Sequence, residues 1–399
     1  MQNTSNTPTD KALLAAIDLG SNSFRLEIGR LDGGQIQRVE YIKEAVRQGG
    51  DLDENRNLRP EAIERGLRCL ARFGERLQGF DASHVRAVAT QTLREANNRD
   101  VFLKMAKKIL GFDVEVISGV EEARLIYQGV NRFLPQSDEK RLVIDIGGRS
   151  TEFILGQGFK SHHTASLHVG SVAWSLKHFN SGDYTRAQIS AESIFETLGD
   201  NFSPKHWDIA YGASGTIGAV ADVLMQYGRP VDVVTKEGLH WLREELLRAR
   251  SVDKLRLNGL REDRKPVIAG GLSVLIAAFE VMQIETLNVA KGELRHGLLY
   301  DMLAREDEII DLRNASVRRL GKKFDVDQSH ANTVADVAVK LFEKITENIN
   351  FAAGEQQIHA RKLRWAAQLH EVGSIISPID AHIHGAYILE HTEPLGFAQ

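Results

Sequence analysis

Two stretches decide the fold: AIDLGSNSFRLEIG at 16–29 and VIDIGGRSTEFILG at 143–156. Each reads as an apolar strand, a glycine turn and a second strand. Laid one on the other, they bring Asp18 onto Asp145, Gly20 onto Gly147, Ser23 onto Ser150 and Gly29 onto Gly156. The chain therefore carries Asp-x-Gly-x-x-Ser twice, each time opening an αβ unit. A duplicated domain start implies two similar halves with a cleft between them. Each turn would offer that cleft backbone N–H groups, a small hydroxyl and an Asp. Glycines allow the backbone to approach a phosphate closely, and a concave run of N–H groups binds anions. One such motif alone is better explained by an ordinary hairpin; its recurrence at matching places argues for a paired anion site.

The rest of the chain supports two αβ units. Strands at 13–18, 24–31 and 33–42 precede a helix over 60–78, whose apolar positions Ile63, Leu67, Leu70, Phe73 and Leu77 share one face. A strand at 85–90, one helix over 92–110, a strand at 113–118 and a helix over 120–134 complete the first unit. The polar break PQSDEK at 135–140 separates it from the second. The predicted organisation is a loose tail over 1–12, αβ domain I over 13–137, αβ domain II over 138–308 and an incomplete helical domain over 309–399. A third glycine stretch, YGASGTIGAVADVL at 211–224, places Ser214, Gly215 and Thr216 at the start of a helix, a ready anion site.

Bulk properties narrow the class. Net charge is −4, so no global basic field draws the chain to nucleic acid; a polyanionic ligand would need local basic pockets. The single cysteine, Cys69, excludes an internal disulfide framework and a cysteine-based zinc site, and reads as a small buried hydrophobe. No apolar run is read as reaching the roughly 20 residues that span a bilayer. The N-terminal MQNTSNTPTD lacks a signal-peptide pattern, so the expected location is the cytoplasm, or its face of the inner membrane.

Six stretches are more specific: AIDLGSNSFRLEI, ATQTLREANN, ISGVEEARLIYQGV, LVIDIGGRSTEFILG, GASGTIGAVADVL and GELRHGLLYDML. They occur in the order seen in the exopolyphosphatase / guanosine pentaphosphate phosphatase (Ppx/GppA) family, and the chain resembles that family from residue 13 onward. The resemblance implies an α/β fold of the actin, hexokinase and Hsp70 (ASKHA) superfamily. Two actin-like, ribonuclease H-like domains would flank a cleft, followed by a partial α-helical domain related to HD phosphohydrolases. It implies release of terminal phosphates from inorganic polyphosphate, the first expectation, or of the 5′-γ-phosphate of guanosine pentaphosphate. Mg²⁺ as cofactor and a homodimer are expected with it. On the matching residues, Glu122 would be the catalytic base and Arg94 a phosphate-binding arginine. Gly20, Ser21, Asn22 and Ser23 would form the first phosphate loop, and Asp145, Gly147, Gly148 and Ser150 the second. Asp145 and Glu152 would hold the metal.

The chemistry of these residue types agrees. Phosphoanhydride hydrolysis needs an in-line water, a base to orient it, and cations with N–H donors on the charged oxygens. Glu121 and Glu122 fall in the first turn of a helix, where Glu121 would merely complement the helix dipole. Arg94 falls near a helix start, an unfavourable end for a cation unless an anion lies beside it. Asp145 and Glu152 lie across a tight hairpin, where both could face one Mg²⁺ with its oxygen-only shell.

Some positions depart from the family pattern. Arg149 stands where the second loop usually has a third glycine; it is expected to touch phosphate and to slow turnover. Lys291 and His296 of KGELRHG replace acids of the usual Asp-Gly-Ala-Leu-Arg-Glu-Gly. A kinase of the same superfamily is one rival, though it would lack the base in EEARL; a non-catalytic polyphosphate-binding module, suggested by Arg149 and Lys291, is another. In the last segment an HD-type His-Asp doublet is replaced by His370-Glu371. The histidines there, His330, His359, His370, His382, His384 and His391, are therefore expected to be ordinary surface or core residues. The basic run Arg313, Arg318, Arg319, Lys322 and Lys323 reads as a solvated face, or as a polyphosphate track.

Overall fold

The apolar run LLAAIDL can bury both faces of a strand, and it forms β1 (Leu13–Leu19) at the centre of a five-stranded sheet. On one side β2 (Phe24–Asp32) and β3 (Gln35–Glu44) pair antiparallel; on the other β4 (Val85–Ala89) and β5 (Val114–Val116) pair parallel. The second sheet repeats this plan around β6 (Lys140–Ile146). Antiparallel β7 (Thr151–Gln157) and β8 (Lys160–Leu167) lie on one side. On the other are parallel β9 (Ile209–Ala213) and β11 (Thr286–Val289), with β10 (Val233–Thr235) added at that edge. This computed structural model describes residues 12–397, apart from 33–34, 136, 180–182, 250–253, 307–311, 350, 352–354 and 393. The expected tail, save residue 12, and the boundary at 308 lie outside the described residues.

The first half carries α1 (Pro60–Arg76), α2 (Gln91–Glu95), α3 (Arg99–Leu110) and α4 (Gly119–Asn131). After β8 come α5 (Ser171–His178), α6 (Tyr184–Phe195), α7 (Gly215–Gln226), α8 (Lys236–Ala249), α9 (Lys265–Met282) and α10 (Leu294–Glu306). The single helix expected over 92–110 is in fact broken into α2 and α3. Asn98 pairs through its side chain with both N–H and C=O of Leu58, and the Asn97 amide donates to Asn55 O. These amides hold a neighbouring loop, and the helix stops between them. A second correction concerns α9. It is 18 residues long and apolar enough by composition to cross a membrane, but 78 % of it is buried against the second half, so it is a core helix. Cys69 is buried, as expected.

Alternation along the central strands sorts side chains into layers. Ile17 and Leu19 of β1 join Leu70, Phe73 and Phe102 in the outer core of the first half. Leu142, Ile144 and Ile146 of β6 join Ile217, Leu272 and Leu275 in that of the second. The intervening residues, Leu14, Ala16 and Val88 from one sheet and Val143, Ile154 and Ala213 from the other, share a cluster with Leu125, Ile126, Leu294 and Leu298 of α4 and α10. Two helices thus stand between the two sheets. By the same alternation Asp18 and Asp145 follow on these inner faces, at the strand ends beside α4 and α10.

Helix α10 lies within the expected domain II by sequence but packs on α4, β1, β2 and β4 of the first half. The approach to α4 is backbone to backbone. A Cβ on Gly297 would lie 1.9 Å from Leu125 O, and one on Gly129 2.3 Å from Glu293 O. A buried ion network reinforces the contact: Arg86 donates to Asp301, and Arg124 donates to Asp301 and Glu121 at 2.7 Å each.

The last unit is helical, as expected: α11 (Leu312–Lys323), α12 (Gln328–Ile345), α13 (Glu355–Gln368) and α14 (Ala381–Glu390) surround Val317, Leu320, Trp365, Leu369, Val372 and Ile388. Phe397 sits edge-on to Trp365 with ring centroids 5.1 Å apart, and the Gly396 N–H donates to Glu121 Oε2 at 2.8 Å, docking this unit on α4.

Alanine usually stabilises a helix interior over glycine by about 1 kcal/mol. At Gly297 the added methyl would drive into a carbonyl, and overpacking costs roughly 1–3 kcal/mol. Gly297→Ala should therefore lower the urea midpoint. Gly218→Ala, on α7 with open space at its Cβ, should raise it.

Candidate active site

The turns after β1 and β6 meet at the inner ends of the sheets. A Cβ on Gly20 would lie 3.0 Å from Ser23 O, and one on Gly147 3.1 Å from Ser150 O, so the repeated motif has one geometry. The turns also touch: a Cβ on Gly148 would come within 2.8 Å of the Ser21 Cβ. Between them is a narrow cavity of about 70 Å³, lined by Gly20, Ser21, Asn22 and Ser23, by Gly147, Gly148 and Ser150, and by Ser214, Gly215 and Thr216. Ser214 has φ 119°, a conformation costly for a residue with a side chain. Its Oγ accepts from the Thr216 and Ile217 N–H groups as α7 begins.

Asp18, Glu122, Asp145 and Glu293 also line this cavity. Arg25 donates to Asp18 at 2.8 Å and lies 3.8 Å from Glu293. Burial pushes Glu293 up, but Arg25, Arg295 and His296 outweigh it and hold the carboxyl at about 2. Asp145 goes the other way. Burial, then Glu152, Glu293 and Glu122, lift it well above the usual carboxylate range. Glu152, the cross-strand partner of Asp145, is pushed up to about 8 by burial and by Glu122. Burial also raises Glu122 against the pull of Arg94. Glu152 does not line the cavity, though it pairs with Asp145 across the strands; a group of buried carboxylates with oxygen as the only donor fits a hard divalent cation.

Several expected residues do other work. Arg94 does not line the cavity. It lies in the last turn of α2, the favourable end for a cation, and directs four of its five N–H donors to Gln91 Oε1, Ile117 O and Glu122 Oε2. It holds Glu122 from behind at 2.8 Å. Arg149 likewise turns away from the phosphate cavity. Its guanidinium donates to Glu95 and to Gly49 O, bridging the second loop to the first half, and its backbone is not left-handed. The Arg149 side chain is thus outside the lining of the cavity. Glu121 is fully buried, with Arg124 and the Gly396 N–H as partners, and does more than complement a dipole. His296 is buried; its Nδ1 accepts from the Glu293 N–H, and it lies 3.4 Å from Glu27.

One cation escaped the sequence reading. Arg264 is 4 % exposed, lines the cavity, and rests on Gly215, where a Cβ would lie 2.0 Å from its Nη2. Its nearest carboxylate, Asp263, is 3.9 Å away, and its Nε has no partner among the described residues. A buried guanidinium without a close counter-ion, aimed into a pocket of N–H groups, is an anion receptor. Its signal was hidden in the charged run REDRK, which reads as a solvated loop. A wider cavity of about 570 Å³ lies beside the narrow one and shares Ser214, Gly215 and Glu293 with it. Ile36, Phe133, Val289 and Leu299 form apolar walls, and Arg38, Arg261 and Lys291 supply cations.

Adjacent glutamates should separate in experiment. Removing one partner of a buried ion pair costs about 3–5 kcal/mol, so Glu121→Gln should lower the urea midpoint strongly. Glu122→Gln should lower it less, because Arg94 keeps its bonds to Gln91 and Ile117. Acid should also weaken the fold. Glu27 and Glu293 are both held at about 2, against an ordinary 4.5, by cations that outweigh burial. The stability they lend is complete above 4.5 and is lost as pH falls toward 2. Melting temperatures across that range should fall, and Glu27→Gln should flatten the slope.

Comparison with known proteins gives the family. Residues 28–306 match the Ppx/GppA phosphatase family, and residues 312–399 match Ppx/GppA phosphatase, domain III. A protein of Vibrio atlanticus named guanosine-5'-triphosphate,3'-diphosphate pyrophosphatase is 37 % identical over 392 residues, 97 % of this chain and 78 % of the relative. One of the same name from Pseudoalteromonas translucida is 38 % identical over 98 % of this chain and 78 % of its own. Among solved structures, an exopolyphosphatase from Cytophaga hutchinsonii has a TM-score of 0.65 at 25 % identity, covering 73 % of this chain and 98 % of its own. The Aquifex aeolicus member of the Ppx/GppA family has a TM-score of 0.61 at 26 % identity, covering 74 % and 99 %. With its twin glycine turns, its carboxylate-lined cleft and these relatives, the chain belongs to the Ppx/GppA phosphatase family of phosphoanhydride hydrolases.

Proposed function

We propose that this chain removes the terminal 5′-phosphate of guanosine pentaphosphate in a Mg²⁺-dependent reaction. One observation carries the choice of substrate: a second cavity of about 570 Å³ shares Ser214, Gly215 and Glu293 with the narrow one. A pocket of 300–1,000 Å³ is the usual size for a small organic ligand. Its apolar walls suit a base and its cations suit further phosphates. The names of the Vibrio and Pseudoalteromonas relatives support the same substrate. This reverses the order of the two substrates expected from the sequence.

In the reaction, a water attacks the terminal phosphorus in line with the bridging oxygen. Glu122 takes the proton of that water. Its raised pKa makes it a better base than an exposed carboxylate, and the bond from Arg94 fixes its orientation. As the bridging P–O bond breaks, charge grows on the oxygens of both fragments. N–H groups of the two turns and the guanidinium of Arg264 receive it. Asp145 and Glu152 are the residues that would hold Mg²⁺, whose charge would neutralise the phosphate oxygens.

Inorganic polyphosphate is the second reading. Lys43 is pushed down to about 8 by burial and by Arg264, Arg25 and Arg261, a crowd of cations that suits a longer polyanion. The exopolyphosphatase of Cytophaga hutchinsonii points the same way. Of the basic run on α11, Arg313 lies over the Trp365 ring, while Arg318, Arg319, Lys322 and Lys323 face solvent.

Phosphate release from guanosine pentaphosphate and from tripolyphosphate, measured side by side, tests the reading. A positioned base contributes about 10²–10⁴ in rate, so Glu122→Gln should lose that much on both substrates. Gly218 lines the wider cavity with open space at its Cβ. Gly218→Leu should raise KM for guanosine pentaphosphate about tenfold, a loss of some 1.4 kcal/mol in binding, and spare tripolyphosphate. Equal effects on both would favour polyphosphate. Metal dependence has its own signature. Glu152, raised to about 8, lends stability when protonated that is lost as pH rises through 8. In chelator the melting temperature should fall across that range, and Mg²⁺ should restore it.

A further inference from the structure

The helical unit holds a cluster that takes no part in phosphoryl chemistry. Helices α12 and α13 run antiparallel, and two bonds tie their exposed flanks: Arg364 to Asp336 and Gln368 to Asn332, both at 2.8 Å. The next step in this register brings His330, in the first turn of α12, against His370 and Glu371, which follow α13. One ligand atom from each lies within 4.8 Å of the others. The Nε2 atoms of His330 and His370 are 3.9 and 3.8 Å from the same oxygen, Glu371 Oε1. These separations are too long for hydrogen bonds. Donors about 2.0–2.1 Å from a zinc ion stand roughly 3.3–3.5 Å apart in a tetrahedron, so a small closure would complete a shell.

The ring of His370 is already oriented for this. Its Nδ1 lies 2.7 Å from Ala367 O, a group that can only accept, so Nδ1 carries the hydrogen and Nε2 keeps its lone pair. A backbone carbonyl on the far nitrogen is the usual partner that fixes a metal-binding histidine. On the other helix, Asp327 caps α12 by accepting from the N–H groups of Ser329 and His330 at 2.9 and 3.1 Å, which pins the backbone of His330.

We propose that His330, His370 and Glu371 bind one divalent d-block ion of the zinc type, with the remaining position open to water. Two imidazoles and one carboxylate suit such an ion and do not suit Mg²⁺, which takes oxygen ligands. The ion clamps the start of α12 to the end of α13. The site is independent of the proposed substrate and of the cleft.

The test is a zinc titration of the whole chain against a chromophoric chelator, in excess Mg²⁺ to occupy the cleft carboxylates. The wild type should bind one Zn²⁺ that His330→Gln and His370→Gln each weaken. Loss of a mere outer-shell partner costs about 10–100-fold in affinity, so loss of a ligand should cost at least that. Co²⁺ in place of Zn²⁺ should give the strong visible absorption of a four- or five-coordinate site, and both variants should abolish it. Unchanged stoichiometry and affinity in the variants, or a weakly coloured six-coordinate Co²⁺ spectrum, would overturn the proposal. If His370→Gln does not fold, His330→Gln decides alone, since the His330 side chain is 56 % exposed.

Discussion

The cleft depends on two helices meeting backbone to backbone. Gly297 and Gly292 of one crossing, and Gly129 of the other, leave no room for even a methyl group between α10 and α4. At that distance both sheets can lean on the same pair of helices, and their inner-face residues form one cluster. The buried ions of Arg86, Arg124, Asp301 and Glu121 then have partners from three elements. Such a network adds little net stability over apolar packing, but it penalises any other arrangement by leaving charges unpaired. Because the helices are held this close, Glu122 on α4 and Glu293 beside α10 reach the same small cavity as Asp18 and Asp145.

Within that cavity the environment sorts chemically similar carboxyls into different states. Glu293 is held low by Arg25, Arg295 and His296 against the effect of burial, while Asp145 is raised by burial and by Glu152, Glu293 and Glu122; Glu152, its cross-strand partner outside the cavity lining, is raised by burial and by Glu122. Opposed shifts of this kind mark which acids serve as fixed charges and which await a cation or a proton. Arg264 is the complement, a buried cation whose closest carboxylate is 3.9 Å away.

Much of this was legible in the residue order. The repeat of Asp-x-Gly-x-x-Ser located both phosphate turns, because close backbone approach leaves a glycine signature. The acidic pair Glu121 and Glu122, after a strand and before an apolar helix, located the first turn of α4. Arg94, Arg149 and Arg264 were not legible in the same way. A long cation reaches several ångströms in any direction, and only its neighbours decide where it points. Arg94 turned to Glu122, Arg149 to Glu95, and Arg264, from a run that looked solvated, into the pocket.

The sequence by itself determined the local units: strands from apolar runs, turns from glycine, helices from apolar periodicity, and the family from the order of its motifs. These follow from short-range sterics and hydrogen bonding, which act within a few residues. Only the tertiary structure decided that α10 crosses back to the first half, that the wide cavity borders the narrow one, and that His330 meets His370 and Glu371. Each of these joins residues far apart in the chain. Their meeting depends on how whole helices and sheets pack, and packing is settled by shape and burial across the entire molecule.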